Sequence, residues 1–404
     1  MQVKIKPGKL SGEIIAPSSK SFCHRLLIGA SMAKGTSTIS NVLFSKDIEA
    51  TINCLEALGA RFEIEGNTVK ADGTDFLKNV KEKMFANESG STLRFLIPFA
   101  MLCDKKISLY GSKRLMERPL DVYEDIARDN GYLFEKYEDH VTVKGKLKPG
   151  KYKVRGDISS QFITGLMYAL STYKEESVIE IIEPIESRSY IDLTVEAMKY
   201  YGVNVLFTGN VIVIKDSEYK TYDGMVEADE SNAAFLDGFN LLGSNVKVKG
   251  LNENTLQGDS VYHKDYPLIK NGKAVLDLAN CPDLGPVYMA LAALNHGAVL
   301  KNTRRLKAKE CDRGLAMKQE LEKIGAKVNL SDNEIEVIPA NIKTGDYIFD
   351  SHNDHRIVMA MSVVSTVTGG TIRNAEAVSK SYPHFFDDIR KLQAKVEIED
   401  DCKC

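Results

Sequence analysis

A segment of about 70 residues recurs six times in this chain, and nothing else in the sequence constrains the fold as strongly. The pieces LEALGARFEIEGNTVKA, DIARDNGYLFEKYEDHVTVKG, MKYYGVNVLFTGNVIVIK, PLIKNGKAVLDL, LEKIGAKVNLSDNEIEVI and RKLQAKVEIED each end a helix-like stretch and begin an alternating one. In five of them a glycine, at 59, 131, 202, 272 or 325, stands at the junction, and Gln393 takes that place in the sixth. Glycine there is the signal of a helix C-cap. The steps between these positions are 72, 71, 70, 53 and 68 residues. Self-similarity at such a period decides the architecture.

The first half of each segment repeats as well. An apolar helix opens each one: RLLIGASMA, LRFLIPFAML, FITGLMYAL, AAFLDGFNLL, GPVYMALAAL and RIVMAMSVV. A turn and a short strand follow, as in STISNV, KISLYG, VIEII, VKVKG, AVLKN and TIRNA. The unit reads helix–strand–helix–strand–strand, which predicts an α/β fold. Helices apolar on nearly every face belong in the middle of a domain.

Two domains follow, each of three repeats. The first spans residues 16–225, and the second takes 1–15 and 226–404. The strand QVKIKP has no partner within the first repeat and is expected to cross back to the second half. The crossings fall near 15–17 and 225–227. Neither is a long linker, so any motion between the halves is a hinge at these points.

The 404 residues are 43% hydrophobic and 27% charged, with a net charge of −3. That composition suits a globular chain with more than one core and gives no basic excess for nucleic acid. No apolar run approaches the roughly 20 residues of a membrane helix, and MQVKIKPGKL has no secretory h-region. Seven scattered cysteines, an odd number, point to reduced thiols in a cytoplasm. The tail cysteines Cys402 and Cys404 read as a frayed end. No metal spacing, P-loop or dinucleotide fingerprint is present, so neither metal nor cofactor is expected.

Polar clusters fall at matching places in the repeats. SSKS, NESGS, ISSQ, ADESN, CPDLG and HNDHR precede the first helices, and SKD, RLMERPLD, ESRSYID, LQGD, KAKECDRG and SKSYPHFFDD precede the second. Ordinary capping covers LQGD and ADESN. The rest, with the cations Lys20, Arg25, Arg94, Arg118, Arg313, Arg356 and Lys380, argue for an anion-lined cleft and ligands of several negative charges. Lys20 and Arg25 stand in the first turn of a helix, against its dipole. Either acids elsewhere pair them, or an anion sits there. Ser159, Ser160 and Ser187 are placed to hold a phosphate. Asp283 and Glu310 are caps or arginine partners on one reading, and a general acid and base on the other. His355 reads as a proton shuttle or as a buried structural residue.

PSSKSFCHR, ESGSTLRF, RLMERPL, GDISSQFITGLM, ESRSYIDLT, VEADESNAAF, NCPDLGP, LKAKECDRG, NDHR and SKSYPHFF, in this order, resemble the motifs of the 3-phosphoshikimate 1-carboxyvinyltransferases, or EPSP synthases. The resemblance covers the whole chain. It implies a two-domain inside-out α/β barrel with buried helices, and transfer of the enolpyruvyl group of phosphoenolpyruvate to the 5-hydroxyl of shikimate 3-phosphate. Lys20, Gly90, Arg118, Gln161, Arg313, Arg356 and Lys380 resemble the phosphoenolpyruvate site. Ser21, Arg25, Ser159, Ser160, Gln161, Ser187, Tyr190, Asp283 and Lys309 resemble the shikimate 3-phosphate site. Asp283, Glu310 and Lys20 resemble the proton-transfer groups. On this reading substrate anions balance Lys20 and Arg25. The partners implied are two small molecules, with no nucleic acid and no membrane, in a cytoplasmic monomer.

The chain departs from the family in three places: Glu88 where many members carry Asn, Phe95 where many have Pro, and Arg305 near a frequent Asn. Two rivals remain. The sister transferase acting on UDP-N-acetylglucosamine has a loop cysteine, and GSKRLMERPLD has none. A non-catalytic phosphate-binding protein on the same fold is the other. Glyphosate is expected to compete with phosphoenolpyruvate beside Gly90, and fosfomycin to find no thiol.

Overall fold

The computed structural model describes residues 1–215 and 217–399. Cys402 and Cys404 lie outside the described residues. The chain divides into two compact units, Ser18–Glu227, and Met1–Pro17 with Ala228–Cys404. Each boundary falls two residues later than the sequence placed it.

In the unit Ser18–Glu227 three central helices, Lys20–Met32, Gly90–Met101 and Ser160–Leu170, are buried along nearly their whole length. The all-round apolar sequences require this, since no face of such a helix is suited to water. Close approach needs small residues. At Gly29 an added Cβ would meet the Tyr201 ring at 2.3 Å. The Tyr201 hydroxyl donates to the Leu26 carbonyl at 2.7 Å, so the ring packs without leaving its polar end unpaired. The second helices of the repeats, Lys46–Ala57, Asp121–Asn130 and Arg188–Tyr200, bury one side.

Each repeat of this unit closes with a four-stranded sheet built on one plan. Lys83–Asn87 runs parallel to Ile107–Gly111, which pairs antiparallel with His140–Lys144, and that strand with Leu133–Lys136. Lys151–Arg155, Ser177–Ile182, Val211–Ile214 and Val205–Thr208 follow the same order. In the first repeat the parallel edge is Gly224–Met225, brought from the far end of the unit to Thr36–Ser40.

The unit formed by Met1–Pro17 and the chain from Ala228 has central helices Glu230–Leu241, Gly285–Leu294 and His355–Thr368. The N-terminal strand Gln2–Ile5 lies between Gly370–Arg373 and Val396–Glu399, antiparallel to both. In the sixth repeat's sheet it takes the place that a repeat's own last strand holds elsewhere. Ser11–Ile15, which precedes the first repeat's helix, pairs instead with Asn245–Lys249 of the fourth. The first and fourth repeats therefore exchange their edge strands.

The 53-residue step has a structural cause. After the helix Tyr262–Asn271 no hairpin follows. The strand past Gly272, Ala274–Asp277, is the parallel edge of the fifth repeat's sheet, beside Ala298–Lys301. The fourth repeat is thus helix–strand–helix, and its sheet has two strands among the described residues. No helix among the described residues is long and apolar enough to cross a membrane.

Candidate active site

In the unit Ser18–Glu227 the starts of the helices are tied to one another by side chains. Ser19, Ser89 and Ser159 cap the three central helices, accepting from Phe22, Thr92 and Gln161 N–H groups. From Ser89 a buried chain runs through the hydroxyls of Thr92 and Thr51, 2.6 Å apart, to Nδ1 of His24 at 2.8 Å. Burial, with Lys20 and Arg25 near, holds the His24 imidazole well below its ordinary pKa, so it is neutral.

Lys20 opens its helix and Arg25 lies in the second turn, not the first, and both have protein partners. Lys20 Nζ lies 2.7 Å from the Asp47 carboxylate. Arg25 is buried, and its guanidinium donates to Thr194 Oγ1 at 2.9 Å, the Ser21 carbonyl at 2.6 Å, the Tyr190 carbonyl at 2.9 Å and Thr164 Oγ1 at 3.4 Å. The rings of Phe95 and Tyr190 lie 5.3 and 5.9 Å from its Cζ. Four bonds and two aromatic faces make Arg25 the clasp that fixes Ser21 and Tyr190.

Gly90 is the first residue of its helix, and the Arg118 guanidinium covers it. Arg118 follows the short helix Lys113–Glu117 and is buried. Gln161 is held from two sides: Arg94 Nη1 donates to its Oε1 at 2.9 Å, and its Nε2 donates to Ser91 Oγ at 2.9 Å. Arg94 also donates to the Pro119 carbonyl beside Arg118. Ser160 is buried at the start of its helix. Ser187 precedes Arg188–Tyr200 with a left-handed backbone (φ 56°, ψ 40°), and its hydroxyl does not cap that helix.

The other unit carries a denser cluster. Arg313 is about 1% exposed. Its Nε lies 2.8 Å from Asp354, its Nη1 2.8 Å from Asp283 and its Nη2 2.8 Å from Glu310. An isolated ion of this kind would lose several kcal/mol of hydration on burial; three carboxylates offset that here. Arg313 thus holds Asp283, Glu310 and Asp354 together. Lys309 Nζ adds a contact of 3.0 Å to Asp283. Arg356 donates to Ser231 Oγ at 2.7 Å and reaches Asp283 at 3.5 Å. Its Nε and Nη1 are buried and have no hydrogen-bond partner among the described residues. Lys380, also buried, donates to the Asn353 carbonyl at 2.6 Å. His355 Nδ1 lies 3.7 Å from Asp354.

Burial raises the Asp283 pKa, but Lys309, Arg356 and Arg313 outweigh it and hold the carboxyl well below its usual range. Lys309 goes the other way: burial lowers its pKa against the pull of Asp283. Arg305, near the position where relatives often have Asn, donates to the Ala279 carbonyl at 2.6 Å.

A family model described as EPSP synthase (3-phosphoshikimate 1-carboxyvinyltransferase) matches residues 5–389. Curated proteins named 3-phosphoshikimate 1-carboxyvinyltransferase are similar over nearly the full length. The one from Clostridium novyi is 39% identical, with 96% of this chain and 97% of the relative covered. The one from Clostridium kluyveri is 40% identical, with 98% of each covered. This chain belongs to the EPSP synthase family. Its fold is also that of an EPSP synthase structure from Acinetobacter baumannii, at a TM-score of 0.79 and 20% identity, covering 99% of this chain and 100% of that one. The enolpyruvyl transferase NikO from Streptomyces tendae shares the fold at a TM-score of 0.77 and 15% identity, covering 98% of each.

Asp47, Asp354 and Ser231 join the set that the sequence reading named. Each stood in a polar cluster, SKD, HNDHR or ADESN. Their pairings with Lys20, Arg313 and Arg356 span 27, 41 and 125 positions, and no local pattern announces such contacts.

Proposed function

We propose that this protein transfers the enolpyruvyl group of phosphoenolpyruvate to the 5-hydroxyl of shikimate 3-phosphate and releases phosphate. The observation that carries the reading is the buried Arg356 guanidinium. Two of its donors lack partners among the described residues, and it stands beside Asp283, a carboxylate that its neighbours keep ionised. Unpaired buried N–H donors are costly unless a ligand completes them. An anion is the complement of a guanidinium fork.

Lys20, Gly90, Arg118, Gln161, Arg356 and Lys380 are assigned to phosphoenolpyruvate. Arg313 serves that site by holding the acids. Ser21, Ser159, Ser160, Gln161, Ser187, Tyr190, Asp283 and Lys309 are assigned to shikimate 3-phosphate, with Arg25 acting through Ser21 and Tyr190. A proton is added to the methylene carbon of phosphoenolpyruvate by Lys20 or Glu310. The 5-hydroxyl attacks C2, and its proton passes to Asp283. The adduct then loses phosphate and a proton of the new methyl group. Asp283 is a weak base while its three cations are unopposed. Substrate anions placed on Lys309 and Arg356 raise its basicity when the acceptor is bound. The remaining contribution is orientation and charge stabilisation.

The test is phosphate release from phosphoenolpyruvate with shikimate 3-phosphate and, separately, with UDP-N-acetylglucosamine. Release with the first acceptor alone is expected. Release with the second alone, or with neither, overturns the reading.

A further inference from the structure

The approach to Arg356 contains a feature that the assignments above do not use. His352 and Asn353 both have left-handed backbones, at φ 49° and 54°. Two consecutive non-glycine residues in that region are uncommon and persist only where surrounding contacts fix them. The contacts are present. The His352 N–H donates to Asp350 Oδ1 at 2.6 Å, and the Asn353 N–H to Ser351 Oγ at 3.1 Å. Ser351 in turn donates to the Asn374 carbonyl at 2.9 Å.

The strongest restraint comes from another element. Glu320, on the helix Arg313–Lys323, is about 1% exposed. Its Oε1 lies 2.8 Å from His352 Nε2. Its Oε2 accepts from the Asp350 N–H at 2.9 Å and from Lys323 Nζ at 2.5 Å. One buried carboxylate thus grips the turn from both ends. His352, Lys323 and the Asp350 N–H together outweigh burial and keep it ionised. The same helix begins with Arg313.

What the turn presents decides its use. The Asn353 carbonyl receives Lys380 Nζ. The next residue, Asp354, caps the helix of Arg356 by accepting its N–H at 2.8 Å and binds Arg313. A relaxed turn would shift all three cations together.

We propose that Glu320 and His352 are positioning residues for the phosphoenolpyruvate site: they lock the 352–353 turn, and the turn aims Lys380 and Arg356. Neither touches a substrate. The inference rests on the assignment of Lys380 and Arg356 to phosphoenolpyruvate. The contact requires a proton on His352 Nε2, which Glu320 Oε1 accepts.

Three variants test it in the full-length protein: His352→Ala, His352→Gln, whose amide carries a donor toward Glu320, and Lys380→Met. Lys380→Met should raise KM for phosphoenolpyruvate tenfold or more. If it does not, the underlying assignment fails, whatever His352 does. With that control positive, His352→Ala should raise the same KM about tenfold and leave KM for shikimate 3-phosphate within twofold. His352→Gln should restore most of the loss. A second readout does not need turnover: acetylation of Lys380 by acetic anhydride, followed by mass spectrometry, should quicken several-fold in His352→Ala and return toward wild type in His352→Gln. Equal changes in both KM values, a Gln variant no better than Ala, or unaltered Lys380 labelling overturns the proposal.

Discussion

The Arg118 guanidinium occupies the space in which a side chain on Gly90 would stand: a Cβ there would meet its Nη1 at 2.4 Å, Cζ at 2.8 Å and Nη2 at 2.9 Å. The obstacle is the end of a flexible side chain, so Gly90→Ala should fold and displace Arg118. Hydrogen bonds to charged groups contribute about 1.5–3 kcal/mol, and about 1.4 kcal/mol is tenfold in an equilibrium. KM for phosphoenolpyruvate should therefore rise roughly 10- to 100-fold, on the conversion just cited, with the melting temperature almost unchanged. Steady-state kinetics with unaltered KM would show that Arg118 does not hold the donor.

Asp47 competes with any anion for Lys20. Asp47→Asn keeps the shape and removes the charge opposing the ligand. KM for phosphoenolpyruvate should fall or stay level. The turnover number should drop, because the carboxylate that orients the Lys20 ammonium is gone. A KM that rises more than threefold would mean that Asp47 holds Lys20 in its binding position and does not compete for it.

The repeat, its glycine junctions and the buried central helices were legible because each rests on a local pattern: a period of 3.6, a period of 2, or a C-cap. The return of Gln2–Ile5 to the second half could be read from its lack of a partner. The missing hairpin of the fourth repeat was visible only as a short step, since the strand AVLD looks the same whichever sheet receives it. Charge pairing was least legible. The sequence shows seven cations at helix starts but not which carboxylates meet them. The partners that the structure gives Arg25 and Arg313 outside their own clusters, namely Thr194, Tyr190, Asp283 and Asp354, lie far along the chain and leave no local trace.

Arg313→Met should be more damaging than loss of a substrate contact. It leaves Asp283, Glu310 and Asp354 without their shared cation. Removing one partner from a buried ion pair costs about 3–5 kcal/mol. Urea denaturation should show a loss of that order, with binding of both substrates lost together. A stability within about 1 kcal/mol of wild type, well short of that cost, would contradict the organising role.

Covalent inactivation by fosfomycin needs an accessible thiolate. The segment 111–121 has no cysteine, and Cys281 is buried. Cys311 is half-buried, 3.6 Å from Asp354, and burial together with that carboxylate pushes its thiol pKa up. Thiols in such settings are inert. Peptide mapping after incubation with fosfomycin should find Cys281 and Cys311 unmodified and activity intact. An adduct on either would contradict this account.

Asp283 links the site to the acid stability of the fold. Its folded pKa lies well below the ordinary carboxylate value, held there by Lys309, Arg356 and Arg313 against burial. A depressed folded pKa gives stability that is complete above the unfolded value, about 4, and is lost as pH falls toward the folded one. Asp283→Asn has no such titration. The difference in unfolding free energy between wild type and variant should be constant from about pH 5 to 8 and shrink below about pH 4. The same variant lacks the proposed base, so turnover should fall by about 10²–10⁴-fold, while binding of shikimate 3-phosphate persists through Ser159, Ser160 and Ser187. A stability difference that grows on acidification would mean that Asp283 folds protonated, and an ion-paired base could not be the acceptor of the hydroxyl proton.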